Sequence, residues 1–147
     1  METKNDKIKI LLIDDDEMMR IFFKDIFWIH GRSDFYDVTI VSSISEAEKF
    51  INDKTKRPDT IFLDVMIPII NGNNSPEEQI SRSLSFVESV KNNKDLSETK
   101  IIIFSGQKEK STEEAFLKMG VDGYLLKGEL MPKEIISFTD KMHKPSV

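Results

Sequence analysis

The sequence predicts an α/β fold, a doubly wound five-stranded parallel sheet with helices on both faces, and three observations predict it. Short apolar runs rich in Ile and bounded by polar residues, such as Ile8–Ile13, Thr60–Leu63 and Ile101-Ile102-Ile103-Phe104, read as strands buried on both faces. Stretches with apolar residues at helical spacing lie between them, so strand and helix patterns alternate from end to end. The runs also end in polar groups: Asp14 and Asp15, then Asp64, Ser105 and Lys127. In open parallel sheets functional groups collect at the carboxyl ends of the strands.

Strand one is Ile8–Ile13, and helix one is Glu17–Ile29, with Met18, Ile21, Phe22, Ile26 and Ile29 at helical spacing and Gly31 and Ser33 marking its end. Residues 38–41 form a short second strand. Ser45-Glu46-Ala47-Glu48 has capping-box spacing and opens helix two, which runs to about Asn52. Pro58 breaks the chain before strand three, Thr60–Leu63. Helix three covers 83–91, with Leu84, Val87 and Val90 inward, and strand four is 101–104. Ser111-Thr112-Glu113-Glu114 is a second capping box, opening helix four, and Gly120 stops it. Strand five is 124–126. Helix five, 132–142, carries Pro132 near its first turn. One connection is oversized: 36 residues run from Asp64 to Thr99, where a crossover helix and two ordinary loops use roughly 14–27. The excess falls in Asn71-Gly72-Asn73-Asn74-Ser75-Pro76 and the polar stretch to Arg82.

At 147 residues the chain reads as one domain, which buries roughly two-thirds of its unfolded surface without disulfide or structural metal. The domain spans 8–142, with 1–7 and 143–147 as terminal tails, which leaves no room for a second domain. Cysteine is absent, which excludes thiol catalysis and Cys-based zinc sites and fits a reducing compartment. A net charge of −5, from 21 basic and 26 acidic residues, argues against a nucleic-acid surface. The charged N-terminus lacks the apolar region of a signal peptide. No apolar stretch approaches the ~20 residues of a membrane span. The expectation is a soluble cytoplasmic protein with neither direct nucleic-acid contact nor membrane insertion.

The predicted sheet brings three carboxylates, a hydroxyl and an amine to one edge. Clustered carboxylates repel, and a cation relieves the repulsion; oxygen-only ligands with room for water suit Mg²⁺, which also bridges to phosphate oxygens. Asp15 or Asp16 also fits a helix N-cap. Asp64 precedes Val65-Met66-Ile67-Pro68, which is no helix start, so it reads either as a nucleophile that forms an acyl phosphate or as a turn residue.

The segments Ile10-Leu11-Leu12-Ile13-Asp14-Asp15-Asp16, Ile61-Phe62-Leu63-Asp64-Val65-Met66-Ile67-Pro68, Ile102-Ile103-Phe104-Ser105-Gly106 and Gly123-Tyr124-Leu125-Leu126-Lys127 resemble the receiver domain of two-component response regulators, over about 8–142. The resemblance implies a (βα)5 flavodoxin-like three-layer sandwich and a stand-alone phosphorelay switch. It implies that Asp64 is the phosphoacceptor, charged by a sensor histidine kinase, a phosphotransfer protein or a small phosphodonor. Asp14, Asp15 and Asp64, with the Met66 backbone carbonyl, would hold Mg²⁺, Asp15 being the more direct ligand of the first pair. Lys127 would pair with the phosphoryl oxygens, Ser105 would hydrogen-bond them, and Tyr124 would rotate in response. Such a chain assists its own phosphorylation and dephosphorylation and is not a turnover enzyme. Its output is a downstream protein effector, and the face formed by helix four, strand five and helix five is open to a homodimer or other partners. Three features depart from the family pattern: Gly128 follows Lys127 where many relatives have Pro, the insertion after Gly72 is unusual, and the link from Gly31 to Asp37 after the first helix is longer.

Two other readings compete. An aspartate-nucleophile phosphohydrolase would use Asp14 and Asp16, but Glu17-Met18 follows where a small hydroxyl-bearing residue is expected, and Asp64 would have no role. A pseudo-receiver would bind partners without phosphorylation, against the complete acidic set. His30 and His143 lie near helix ends, away from the predicted site.

Overall fold

The strand β1 (Ile8–Ile13) is the spine of the sheet, paired in parallel with β2 (Tyr36–Val41) on one side and β3 (Thr60–Leu63) on the other. Beyond β3 lie β4 (Lys100–Ser105) and the edge strand β5 (Gly123–Leu126), again parallel, so the order is β2-β1-β3-β4-β5. The computed structural model describes residues 7–31, 33–67, 75–106 and 108–143. The helices are α1 (Glu17–Ile29), α2 (Ile44–Ile51), α3 (Pro76–Lys91), α4 (Lys110–Lys118) and α5 (Pro132–His143), with a 3-10 turn at Lys94–Leu96.

Alternating residues of the buried strands feed two cores. Leu11, Ile13, Ile61, Leu63, Ile101 and Ile103 pack with residues of α2, α3 and α4. Ile10, Leu12, Phe62, Ile102 and Phe104 point the other way, onto α1 and α5. There Phe23 of α1 stacks edge-on to Phe62, with ring centroids 4.9 Å apart. The sheet is thus covered on both sides, and the strand order reverses between β1 and β3. Ligands of open α/β sheets bind at that reversal, outside the carboxyl ends.

The five strands and five helices stand where the sequence places them, with shifted ends. β2 begins at Tyr36, because Tyr36 is itself core and its hydroxyl donates to Asp140 Oδ1 at 2.6 Å. β4 extends by Lys100 and Ser105, and β5 by Gly123. β5 is half-buried rather than fully buried, as its edge position dictates. Helix α2 is capped by Ser43, not Ser45: the Ser43 hydroxyl accepts from the Glu46 N–H at 3.1 Å, while Glu46 Oε1 accepts from the Ser42 N–H. Helix α4 starts at Lys110 without a side-chain cap, so Ser111 opens no capping box. Gly120, at φ +95°, does end it. Helix α3 starts seven residues before the expected Ser83, with Ser75 as N-cap and Pro76 in its first turn. The polar stretch to Arg82 is therefore helix, which absorbs part of the long connection. Residues 68–74, which include Ile69-Ile70-Asn71-Gly72, lie outside the described residues. Helix α5 includes His143, expected in the tail.

Helix α1 departs most in packing. Phe23, Ile26 and Phe27 face the core, whereas Met18, Ile21 and Ile29 face solvent together with Trp28.

Candidate functional site

β1 and β3 end side by side, and each passes directly into a carboxylate. The parallel ladder runs one residue past each strand, with the Asp14 N–H donating to Val41 O and the Asp64 N–H to Ile13 O, both at 3.0 Å. These bonds hold the two backbones in register. Asp14 is fully buried, Asp64 nearly so, and Asp15 is exposed. All three nevertheless bring a carboxylate oxygen within 4.8 Å of one another.

Each buried acid uses one oxygen to shape its own turn. Asp14 Oδ1 accepts from the Asp16 N–H at 2.9 Å, and Asp64 Oδ1 accepts from the Met66 N–H at 3.2 Å. The other oxygens face Lys127, whose Nζ lies 2.6 Å from Asp14 Oδ2 and 3.2 Å from Asp64 Oδ2. Asp14 Oδ2 is buried and has this charge contact but no well-aligned hydrogen bond. Lys127 is anchored by its own N–H, which donates to Ser105 O at 2.8 Å. The next residue, Gly128, has φ +83°. A proline ring fixes φ near −65°, so this turn is closed to proline.

Burial dominates the electrostatics of Asp64. Loss of solvent raises its pKa to about 6, with Lys127 pulling down and Asp14 pushing up. Burial also works against the Lys127 ammonium, but Asp64 and Asp14 outweigh it and leave its pKa raised. Three carboxylates thus face one ammonium.

Ser105 ends β4 fully buried, and its side chain is hydrogen-bonded to that of Tyr124 on β5. The Tyr124 ring leans on Phe116 of α4 at 6.4 Å, while Lys127 Nζ sits 5.9 Å from the Phe104 ring in the opposite core. Tyr124 and Lys127 therefore take opposite sides of the sheet, as their odd spacing predicts. Desolvation raises the pKa of the Tyr124 hydroxyl, opposed by the Ser105 bond.

Asp16 is exposed and serves as N-cap of α1, accepting from the Met18 N–H at 3.1 Å. That use commits its carboxylate to the helix end, outside the cluster of Asp14, Asp15 and Asp64, and disfavours the hydrolase pairing. His30 caps the C-terminus of α1 and His143 ends α5, both outside the acidic cluster. Sequence reasoning missed Ser83. Its buried hydroxyl donates to Val65 O at 2.9 Å and ties the turn after Asp64 to α3. The signal was a hydroxyl on the inward face, four residues before Val87.

A family model described as the response regulator receiver domain matches residues 10–138. The nitrate/nitrite response regulator protein NarL of Escherichia coli K12 is 31% identical over 128 residues, 86% of this chain and 50% of that protein. The chain thus spans about half the length of the curated relatives it matches. Among solved structures, a putative response regulator from Chloroflexus aurantiacus superposes with a TM-score of 0.72 at 20% identity, covering 95% of this chain and 99% of that one. The receiver domain of a sensor histidine kinase from Pseudomonas aeruginosa, with a magnesium ion coordinated in its active site cleft, superposes with a TM-score of 0.70 at 17% identity, covering 95% and 99%.

Proposed function

Because the chain belongs to the response regulator receiver domain family, we propose that Asp64 takes a phosphoryl group from a sensor histidine kinase, a phosphotransfer protein or a small phosphodonor, and that this switches binding of a protein effector. The observation that carries the proposal is the pairing of buried Asp64 with Asp14 and the Lys127 ammonium at the reversal of the strand order. A carboxylate oxygen of Asp64 forms the new bond to phosphorus as the donor's bond breaks, its electron pair leaving with the donor. A phosphohistidine donor keeps that pair on its ring nitrogen, which takes a proton from solvent to give neutral imidazole. Such a transfer needs alignment and charge neutralisation more than covalent machinery. Lys127 supplies one positive charge against the incoming phosphoryl oxygens.

The donor set fits a divalent cation. Three carboxylates against one ammonium leave two negative charges to balance when Asp64 is ionised, and the oxygens are hard ligands of the kind Mg²⁺ prefers. Asp14, Asp15, Asp64 and the Met66 carbonyl would hold the ion, with exposed Asp15 open to it from solvent. When bound, Mg²⁺ neutralises charge on the phosphoryl oxygens. The ion named for the Pseudomonas aeruginosa receiver supports this choice.

Readout runs through Ser105. Its hydroxyl bonds Tyr124 here; exchanging that partner for a phosphoryl oxygen vacates space into which Tyr124 rotates, which alters its packing against Phe116 of α4. A phosphoryl group shifts such an equilibrium only by interacting differently with its two states. The expected site of action is the cytoplasm.

Incubation with acetyl phosphate and Mg²⁺ tests the proposal. One phosphoryl group per chain is expected in the wild type, and almost none in Asp15→Asn, which weakens Mg²⁺ while leaving the fold intact. Steady release of phosphate over many turnovers supports a hydrolase instead, and no phosphorylation with no Mg²⁺ binding supports a pseudo-receiver.

A further inference from the structure

Helix α1 (Glu17–Ile29) is apolar on both sides. Phe23, Ile26 and Phe27 fill the core, yet Met18, Ile21, Phe22, Trp28 and Ile29 are all exposed, Trp28 by 70% and Met18 by 76%. A surface helix ordinarily keeps one apolar stripe facing the core with polar residues opposite, and here five large apolar side chains lie outside that stripe. By contrast, Leu117 is the one exposed large apolar side chain along α4, β5 and α5 among the described residues. The outward ridge of α1 runs Ile21, Lys24, Asp25, Trp28, spacing i, i+3, i+4, i+7, which places the four on one face.

That ridge is self-complementary. Read from its other end it is apolar, acidic, basic, apolar, so a second α1 laid antiparallel about a two-fold axis between Lys24 and Asp25 matches it twice over. Ile21 then meets the partner's Trp28, and Lys24 the partner's Asp25, each pair repeated by the axis. Met18, Phe22 and Ile29 widen the apolar contact. We infer that this face of α1 is a docking surface for a second copy of the chain. The exposed apolar side chains offer on the order of 500 Å² per copy, below the ~800 Å² of a standard stable interface, which sets a weak, concentration-dependent dimer.

Trp28 is the chain's only tryptophan, so its emission reports the contact directly. Between about 5 and about 500 µM the wild type should pass from monomer to dimer by sedimentation velocity, in the range of a micromolar constant. Trp28 emission should move to shorter wavelength over the same range. Lys24→Asp and Asp25→Lys each create two like-charge pairs and should weaken the dimer tenfold or more. The double variant Lys24→Asp/Asp25→Lys restores opposite charges and should recover most of the loss. All four side chains of the ridge point to solvent, and circular dichroism should show an unchanged fold. A chain that stays monomeric to about 500 µM, even one that binds a different protein through α1, overturns the inference. So does a dimer that neither single reversal weakens, or one that the double variant fails to recover.

Discussion

Replacing Asp64 by Asn should stabilise the metal-free protein, although it removes the group on which the proposed function depends. Burial raises the Asp64 pKa from 3.8 to about 6, and this is net of the attraction of Lys127. Each pKa unit corresponds to ~1.4 kcal/mol between the two protonation states, so the folded protein holds the ionised carboxylate at a cost on the order of 3 kcal/mol. The folded state keeps its proton where the unfolded chain has lost it, so stability falls as pH rises from about 4 to about 6 and is level above that. The gain in Asp64→Asn should therefore be full above pH ~6 and vanish below pH ~4, because an amide resembles a protonated acid. Lys127 keeps a partner in the variant, since Asp14 Oδ2 is 2.6 Å away. For a chain of this size the gain corresponds to roughly 6–12 °C in Tm. Urea unfolding followed by circular dichroism, without divalent cations, at several pH values between 4 and 8 is the assay. A variant less stable than wild type at pH 7, or a difference independent of pH, refutes the reasoning.

Lys127→Ala should destabilise the metal-free protein by about 3 kcal/mol at pH 7, because Asp14 and Asp64 then face each other without a cation; unfolding at pH 5, where Asp64 is protonated, should show a smaller loss. Ser105→Ala should still accept a phosphoryl group at Asp64. It should, however, lose the shift of amide NMR signals across residues 115–120 and Tyr124, since a charge-assisted hydrogen bond of roughly 1.5–3 kcal/mol biases the switch. A full wild-type shift in that variant would disprove the route. His143 contacts the buried hydroxyl of Thr60, and burial depresses its pKa below 6.5, with Asp59 opposing and Lys100 adding to the shift. Its contribution to stability is complete above pH ~6.5 and is lost as pH falls toward the depressed value. An imidazole titration by NMR should place its midpoint below 6.5, and a value above that would contradict the packing of α5.

The strands and the acids at their ends were legible because a parallel strand buried on both faces leaves an unbroken apolar run, as in Ile61-Phe62-Leu63 before Asp64. Helix ends were less so. Ser43 and Ser45 are two residues apart, and only the packing of Ile44 and Ala47 decides which one caps α2. Pro76-Glu77-Glu78-Gln79 carries no apolar period, so the first turns of α3 gave no periodic signal even though Ser75 and Pro76 form a start signature. In α1 apolar residues lie on more than one side of the helix, and spacing alone does not say which arc faces the sheet. The raised pKa of Asp64 and the Ser105–Tyr124 bond depend on depth and on neighbours distant in sequence, which no local pattern records.

The most direct test of the central claim is to locate the phosphoryl group by mass spectrometry after incubation with acetyl phosphate and Mg²⁺. One acid-stable, base-labile group on Asp64, absent from Asp64→Asn, is the expected result. Label on Ser105, or label retained in Asp64→Asn, would contradict the account.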